Sequence, residues 1–416
     1  MQDIEDCRGK SSYTLAEILT GCLAMFLFKA GSRNALHNLR NDLKFCKNYE
    51  KLFKLKLPHP DTVDRVMRIL DETHLETLKK QMIKILLEHK TLHKYRLQGK
   101  WFVVAIDATG ESSYDHKHCE HCLHRTSSGG KTTWFHNVLE AKLITANGFA
   151  LSICTVWIEN PEGGYDKQDC ERKAFMRLAA KLKEDFPRLP ICITADGLYP
   201  YKGFFDTCLE YGWRYIVTFK DGNLPSVWEE VLSLKSLQEQ NCRREVRIEG
   251  QKVKKTVRSE YRWVTAITYN DHNLHWIECV ETISVSGEAD IRHRFVHLTD
   301  LAPNYHNTPE LSTTGRLRWK IENEGFNAQK NQGYGLGHKF SRVSYRAMKN
   351  YYQCLQIAHI INELLVLSQD FQSFLVEKMT LKHIWKSLQA LMSYGDLDDV
   401  ELEAIGAKPC QIRFVT

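Results

Sequence analysis

The chain has 416 residues, 43% hydrophobic and 26% charged, with 57 Lys and Arg against 51 Asp and Glu and a formal net charge of +6. That is a globular composition, so a disordered chain, a collagen-like repeat and a coiled-coil rod are excluded. The length predicts one large domain with an insertion, or two to three smaller ones, and either can bury a substantial core.

Thirteen Cys, odd in number and scattered, argue against a disulfide framework and for a reducing compartment. The start, MQDIEDCRGK, is acidic, and the apolar stretch Leu19 to Phe28 is about half the roughly twenty residues of a membrane span. The expectation is a soluble, cytoplasmic protein with no membrane partner.

Residues 1–98 predict helices, because LAEILTGCLAMFLF, ALHNLRNDLKFC, DTVDRVMRILDETH and LETLKKQMIKILLEHK place apolar residues three and four apart. Pro58 and Pro60 break this region in two. Lys29, Arg33, Arg40, Lys44, Lys47, Lys51, Lys54 and Lys56 form a basic run interrupted only by Asp42 and Glu50. Such a run is a solvated face or a surface for a phosphate backbone.

At Trp101 the texture changes. WFVVAID is a short, nearly continuous apolar run that predicts a buried strand ending in an acid. HNVLEAKLITANGFALSICTVWIE alternates on both sides of Asn147-Gly148, which predicts a hairpin. DKQDCERKAFMRLAAKLKEDF predicts a helix, PICITADG a second strand ending in an acid, YPYKGFFDTCLEYG a helix and WRYIVTFK a strand.

After Asp221 come the period-two segments REVRIEG, YRWVTAITYN, HWIECVETISV and RHRFVHLTDL, which predict a β-rich insertion. It carries a second basic cluster, Arg243, Arg244, Arg247, Lys252, Lys254, Lys255, Arg258 and Arg262 against Glu245, Glu249 and Glu260. Helical periodicity returns at LSTTGRLRWKIENEGFNAQK and again from about Arg342 to Met392.

Asp107 and Asp196 close their strand runs, where open α/β sheets gather their chemistry, although an acid before small residues also suits a turn. On a helix Arg318 and Glu322 are one turn apart and share a face, while Glu324 is rotated by about 200°. Three carboxylates converging from two strands and a helix can hold two Mg²⁺ ions about 4 Å apart, which activate a water or a 3′-hydroxyl for phosphodiester chemistry.

Asp107 on the first strand, Asp196 on a later one and Glu322 on a late helix resemble the ribonuclease H-like core of DDE transposases. The long interval between Asp196 and Glu322 is similar to that of the bacterial insertion-sequence branch, in which a β-rich domain interrupts the core. That branch carries Tyr-x2-Arg-x3-Glu-x6-Lys; Arg318-Trp319-Lys320-Ile321-Glu322 matches its middle, whereas Gly315 stands at the tyrosine and Gln329 at the lysine, with Lys330 one place later. The resemblance covers about Gly31 to Leu365. It implies an α/β fold: a helical DNA-binding or auxiliary domain at 1–98, the first part of the core at 99–220, the β-rich insertion at 221–300, the core completed by the glutamate helix at 301–340, and a C-terminal helical region at 341–416.

The resemblance further implies a Mg²⁺- or Mn²⁺-dependent transposase with two ions on Asp107, Asp196 and Glu322. It would cleave transposon ends and join the 3′-OH to target DNA, as a homodimer pairing two inverted repeats on the bacterial nucleoid. Arg318 and Lys330 would hold DNA phosphates. Arg243, Arg244, Lys254 and Lys255 would add phosphate contacts. Trp263 and Trp276, on the insertion strands, either pack in a small β-domain or stack on an extruded base. The rival readings are a nuclease that cuts without joining and an inactive, domesticated DNA-binding protein.

HKHCEHCLHR sets His116, His118, Cys119, His121, Cys122 and His124 just after the first catalytic strand. Cys119 and Cys122 supply two zinc ligands at good spacing, but a structural Zn²⁺ needs four. The rest would come from a neighbouring His or a distant thiol such as Cys154 or Cys170. A DNA-contacting loop and a chance cluster are the alternatives.

Overall fold

The N-terminal helices begin where the sequence supplies caps. In the computed structural model, which describes residues 6, 8–9, 11–162, 165–250, 254–375, 379–407 and 412–415, Thr14 and Glu17 form a capping box on α1 (Leu15–Leu27). Ser32, Asp42 and Asp71 accept the first free amides of α2 (Arg33–Asn41), α3 (Leu43–Phe53) and α5 (Glu72–Glu88). Pro60 opens α4 (Pro60–Met67), where its missing N–H is harmless.

The strands form one mixed sheet. β1 (Phe102–Tyr114), β3 (Thr132–Ile144) and β4 (Ala150–Ile158) are an antiparallel meander, with the short β2 (Leu123–Thr126) on the far part of β3. The β3–β4 turn is the expected one, and Gly148 takes a φ of +112° there. α6 (Glu171–Asp185) leads to β5 (Ile191–Ala195), and α7 (Lys202–Tyr211) leads to β6 (Arg214–Thr218); β5 lies parallel to β1 and β6 parallel to β5.

The segment after Asp221 departs from the all-strand expectation in two ways. It opens with a helix, α8 (Pro225–Leu237), before β7 (Cys242–Glu249), β8 (Lys255–Tyr269), β9 (His272–Val285) and β10 (Ile291–Thr299). Its strands are also not a sheet of their own: β10 pairs antiparallel with β6, giving ten strands in the order β2-β3-β1-β5-β6-β10-β9-β8-β7 with β4 beside β3.

Alternation along β1 feeds two cores. Val103 and Ala105 pack with α1 and the late helix α11 (Tyr345–Val366), whereas Phe102, Val104 and Ile106 pack with α6 and α7. α11 is buried over most of its length and packs against α1, α4, α5 and β4. Much of the first basic run is consumed inside the molecule. Lys29 stands 3.8 Å over the Trp385 ring, Arg33 pairs with Asp64 at 3.0 Å, and Lys51 donates to the Leu397 carbonyl. Lys44 pairs with Asp396. Among the described residues, no helix is long and apolar enough to cross a membrane.

Candidate active site

Asp107 does not end its strand, contrary to the sequence reading. β1 runs on to Tyr114 because β3 keeps pairing with it, while its other neighbour, β5, stops pairing at Ala105–Thr194. Asp196 is the residue after β5. Carrying the parallel register on by two residues sets Asp107 beside Asp196, one strand spacing of about 5 Å away. Asp196 Oδ1 accepts from the Leu198 amide at 2.8 Å, so the turn also fixes its carboxylate, and Lys220 Nζ lies 3.8 Å from the other oxygen.

Glu322 arrives from a π-helix, Ile321–Asn327, that packs on β1. Sequence periodicity had implied an ordinary α-helix here. The π-turn follows α9 (Thr308–Arg316) after a short break and leads into α10 (Ala328–Asn331); such wide turns recur at functional sites. Ile321 is fully buried and anchors the segment. The two neighbouring acids diverge. Glu322 acts electrostatically on Asp107, whereas Glu324 accepts from Lys320 Nζ at 2.5 Å and acts on buried Glu363 of α11.

Burial pushes the Asp107 carboxyl up to about 6; the Arg318 charge and the Ala108 amide pull it down, and Asp196 and Glu322 push it up. Arg318 is buried, its Nη1 lies 3.4 Å from Asp107 Oδ2, and its guanidinium stands 4.4 Å over the Trp319 ring. A fourth acid was not foreseen. Glu171, at the start of α6, accepts from Tyr199 Oη at 2.9 Å. Burial pushes it up to about 7, the Tyr199 hydrogen bond opposes this, and Asp107 and Asp196 add to it. No spacing in the sequence links Glu171 to the others; only the packing of α6 on the sheet and the bond from Tyr199, just past β5, do.

Oxygen-only donors suit a hard cation such as Mg²⁺. Asp107, Asp196 and Glu322 supply three such groups, each carboxylate able to offer two oxygens. Two ions about 4 Å apart, each about 2 Å from its ligands, accept outer oxygens separated by up to roughly 8 Å. Three carboxylates are a donor set that such a pair of ions can share.

Beside these acids opens a cleft of about 490 Å³, whose cations are Lys220, Arg294, Arg316 and Arg318 and whose rim includes Trp319. Trp319 is 50% exposed. Of the two alternatives for Trp263 and Trp276, packing is the one found: they are 5% and 1% exposed, set into the two cores by the alternation of β8 and β9, so neither is free to stack on a base. Gly315 also has a steric reason. A Cβ there would lie 2.5 Å from the His297 ring and 2.9 Å from Ile216, so no tyrosine fits at this approach of α9 to the sheet.

Lys330 is exposed on α10 and has no partner among the described residues, while Gln329 is buried and pairs with Gln356. Arg243 and Arg244 lie on β7, six strand spacings or roughly 29 Å from β1. Arg243 is held by Glu245 and by the Tyr305 carbonyl, and Arg244 lies 3.5 Å from Glu260. The side chains of Lys254 and Lys255 are exposed and make no ion pair among the described residues, and Lys252 lies outside them.

The Cys and His residues after β1 do gather. Cys119 Sγ and Cys122 Sγ are 3.7 Å apart, and each is 3.4 Å from His136 Nε2. His136 comes from β3 and was not foreseen, because no short motif joins it to Cys122. Cys154 instead sits in the core against α6, and Cys170 is the exposed residue before that helix. No protein-family model matches the chain, and none of the curated proteins does.

Proposed function

We propose that the chain is a DDE transposase that cleaves and joins DNA by Mg²⁺-dependent phosphodiester chemistry. The observation that carries this reading is the approach of Asp107, Asp196 and Glu322, from β1, the end of β5 and the π-helix, beside a cleft lined by cations. The meander β1-β3-β4, continued by parallel β5 and β6, supports a ribonuclease H-like core.

Asp107, Asp196 and Glu322 would hold the two ions, with Asp107 central. When bound, the ions supply activation of a water or 3′-hydroxyl and stabilisation of the leaving oxygen. The protein's own groups bind and orient the strand. Arg318 and Lys220 line the cleft and would take its phosphates, Arg318 in the bidentate manner its planar fork allows, while Arg316 is held by Glu281 and Arg294 by Glu278 and Asp221. Trp319 offers an exposed ring at the same rim for an unstacked base. Glu171, raised by burial to about 7, is only partly ionised near neutral pH and so adds less negative charge around Asp107 than an ordinary carboxylate would.

DNA flanking the gene, carrying its own ends, is the substrate that tests this. With Mg²⁺ the protein should nick those ends and join a pre-cut 3′-OH end into plasmid, and Asp107→Asn and Asp196→Asn should bind without cutting. Cutting without joining would leave a nuclease. Cutting that survives both substitutions would remove the proposed site.

A further inference from the structure

We propose a structural zinc site formed by Cys119, Cys122, His136 and His118, independent of the catalytic reading above. Two ligands come from the loop after β1, a third precedes them by one residue, and the fourth reaches in from β3. The ligand atoms of His118, Cys119 and His136 lie within 4.8 Å of one another.

Three of the four ligands, Cys119, Cys122 and His136, have the dimensions of one face of a tetrahedron around an ion. With zinc about 2.3 Å from sulfur and about 2.0 Å from nitrogen, tetrahedral angles put two sulfurs about 3.8 Å apart and sulfur and nitrogen about 3.5 Å apart. The two sulfurs stand 3.7 Å apart, and each lies 3.4 Å from His136 Nε2. A disulfide would bring the sulfurs to about 2.0 Å, and both thiols are free.

The surroundings prepare the rings for this role. His118 Nε2 donates to the Arg342 carbonyl at 2.8 Å, which leaves Nδ1, buried without a partner, as the lone-pair nitrogen. Ligand imidazoles commonly anchor their second nitrogen on a backbone carbonyl in this way. The His118 ring stacks on Tyr114 at 4.1 Å and the His136 ring on Tyr345 at 4.5 Å, so both planes are set before an ion arrives. Cys122 and His136 are fully buried. Two thiolates cancel the charge of a divalent ion, so the filled site buries no net charge.

The site joins three parts of the chain. The loop after β1 carries the thiols, β3 carries His136, and the Arg342 carbonyl and Tyr345 bring in the segment that opens α11. Its role is therefore to staple the far ends of β1 and β3 to the start of the central helix.

The test is metal content and spectroscopy on the whole protein expressed with added Zn²⁺. One zinc per chain should survive dialysis and be released when the thiols are modified by an organomercurial. Exchange with Co²⁺ should give a thiolate charge-transfer band and the strong visible absorption of a four-coordinate ion. Stripping with a chelator should lower Tm, and Zn²⁺ should restore it. Cys119→Ser and His118→Asn should each reduce zinc content, whereas Cys170→Ser should leave it at one per chain. His118 is partly exposed, so its variant should fold even where a thiol variant fails. Zinc-free protein whose Tm ignores added Zn²⁺, a Cys119–Cys122 disulfide in the isolated chain, or a Co²⁺ form without the charge-transfer band would overturn the proposal.

Discussion

Glu322 and Glu324 are two residues apart, half-buried, and in the same π-turn, so exchanging each for Gln isolates direction as the variable. Glu322→Gln removes one of three negative ligands from a site that would hold two divalent ions. Ions that stabilise the transition state by several kcal/mol lose much of that grip, so cleavage should fall by about 10³-fold, equivalent to about 4 kcal/mol. Glu324→Gln removes the Lys320 pair, which is part-exposed and worth about 0.5 kcal/mol. It also removes a like charge beside Glu363, while the buried, unpartnered Oε2 position stays polar as part of the amide. These contributions oppose one another, so both stability and cleavage should change little. The assay is single-turnover nicking of an end-bearing duplex at saturating Mg²⁺, with end binding followed in parallel. If Glu324→Gln abolished cleavage and Glu322→Gln did not, the assignment of the π-turn's faces would be wrong.

Three further outcomes follow from particular side chains. Burial pushes Glu111 from 4.5 up to about 7, against its Ser112 hydrogen bond and the Lys339 charge. A raised acid favours the fold below pH 4.5 and loses that contribution as pH rises through 7, so Glu111→Gln should gain on the parent by about 3 kcal/mol at pH 8 and by nothing near pH 4; thermal melts across that range check it. Lys254→Ala with Lys255→Ala should flatten the log–log salt dependence of end binding by up to about 1.8, whereas Arg243→Ala, already engaged by Glu245 and Tyr305, should leave it unchanged. Trp319→Ala should weaken binding to an end with an unpaired base by about 1–3 kcal/mol and leave a fully paired duplex unaffected, as read by fluorescence anisotropy.

The parts of the fold that could be read from the sequence are those set by local periodicity. β1, β3, β4, β5 and β6 each carry their own run of apolar residues, and the Asn147-Gly148 turn names its hairpin. What could not be read depends on neighbours far along the chain. β1 passes Asp107 only because β3 continues to pair with it. The i+5 bonding of Ile321–Asn327 has no signature distinct from that of an α-helix. Trp263 and Trp276 alternate correctly for strands, but periodicity cannot tell which sheet face is covered, and here both faces are. The basic cluster looked cationic by composition, yet Glu245, Glu249, Glu260 and Glu281 meet several of its arginines side by side across β7, β8 and β9. Asp107 and Asp196 were visible because each closes a run of apolar residues, while Glu171 and His136 were hidden because each reaches its site from a different element.

β1 links two donor sets of opposite chemistry. Asp107 sits near its middle and the thiols lie just beyond Tyr114, seven residues or roughly 23 Å further on. The first set is all oxygen and suits a hard ion that keeps part of its water; the second, sulfur and imidazole, suits a soft-to-borderline ion held without water. Affinity alone would send zinc to both, so selection rests on the donors and their setting: carboxylates beside an open cleft, against a part-buried cluster of thiols and imidazoles. The two sites should therefore respond separately. A chelator chosen for zinc should lower Tm without changing the Mg²⁺ concentration that half-saturates cleavage, and Glu322→Gln should abolish cleavage while zinc content stays at one per chain. A shift of the Mg²⁺ requirement on zinc removal would mean instead that the staple at the end of β1 holds Asp107 in place along the strand.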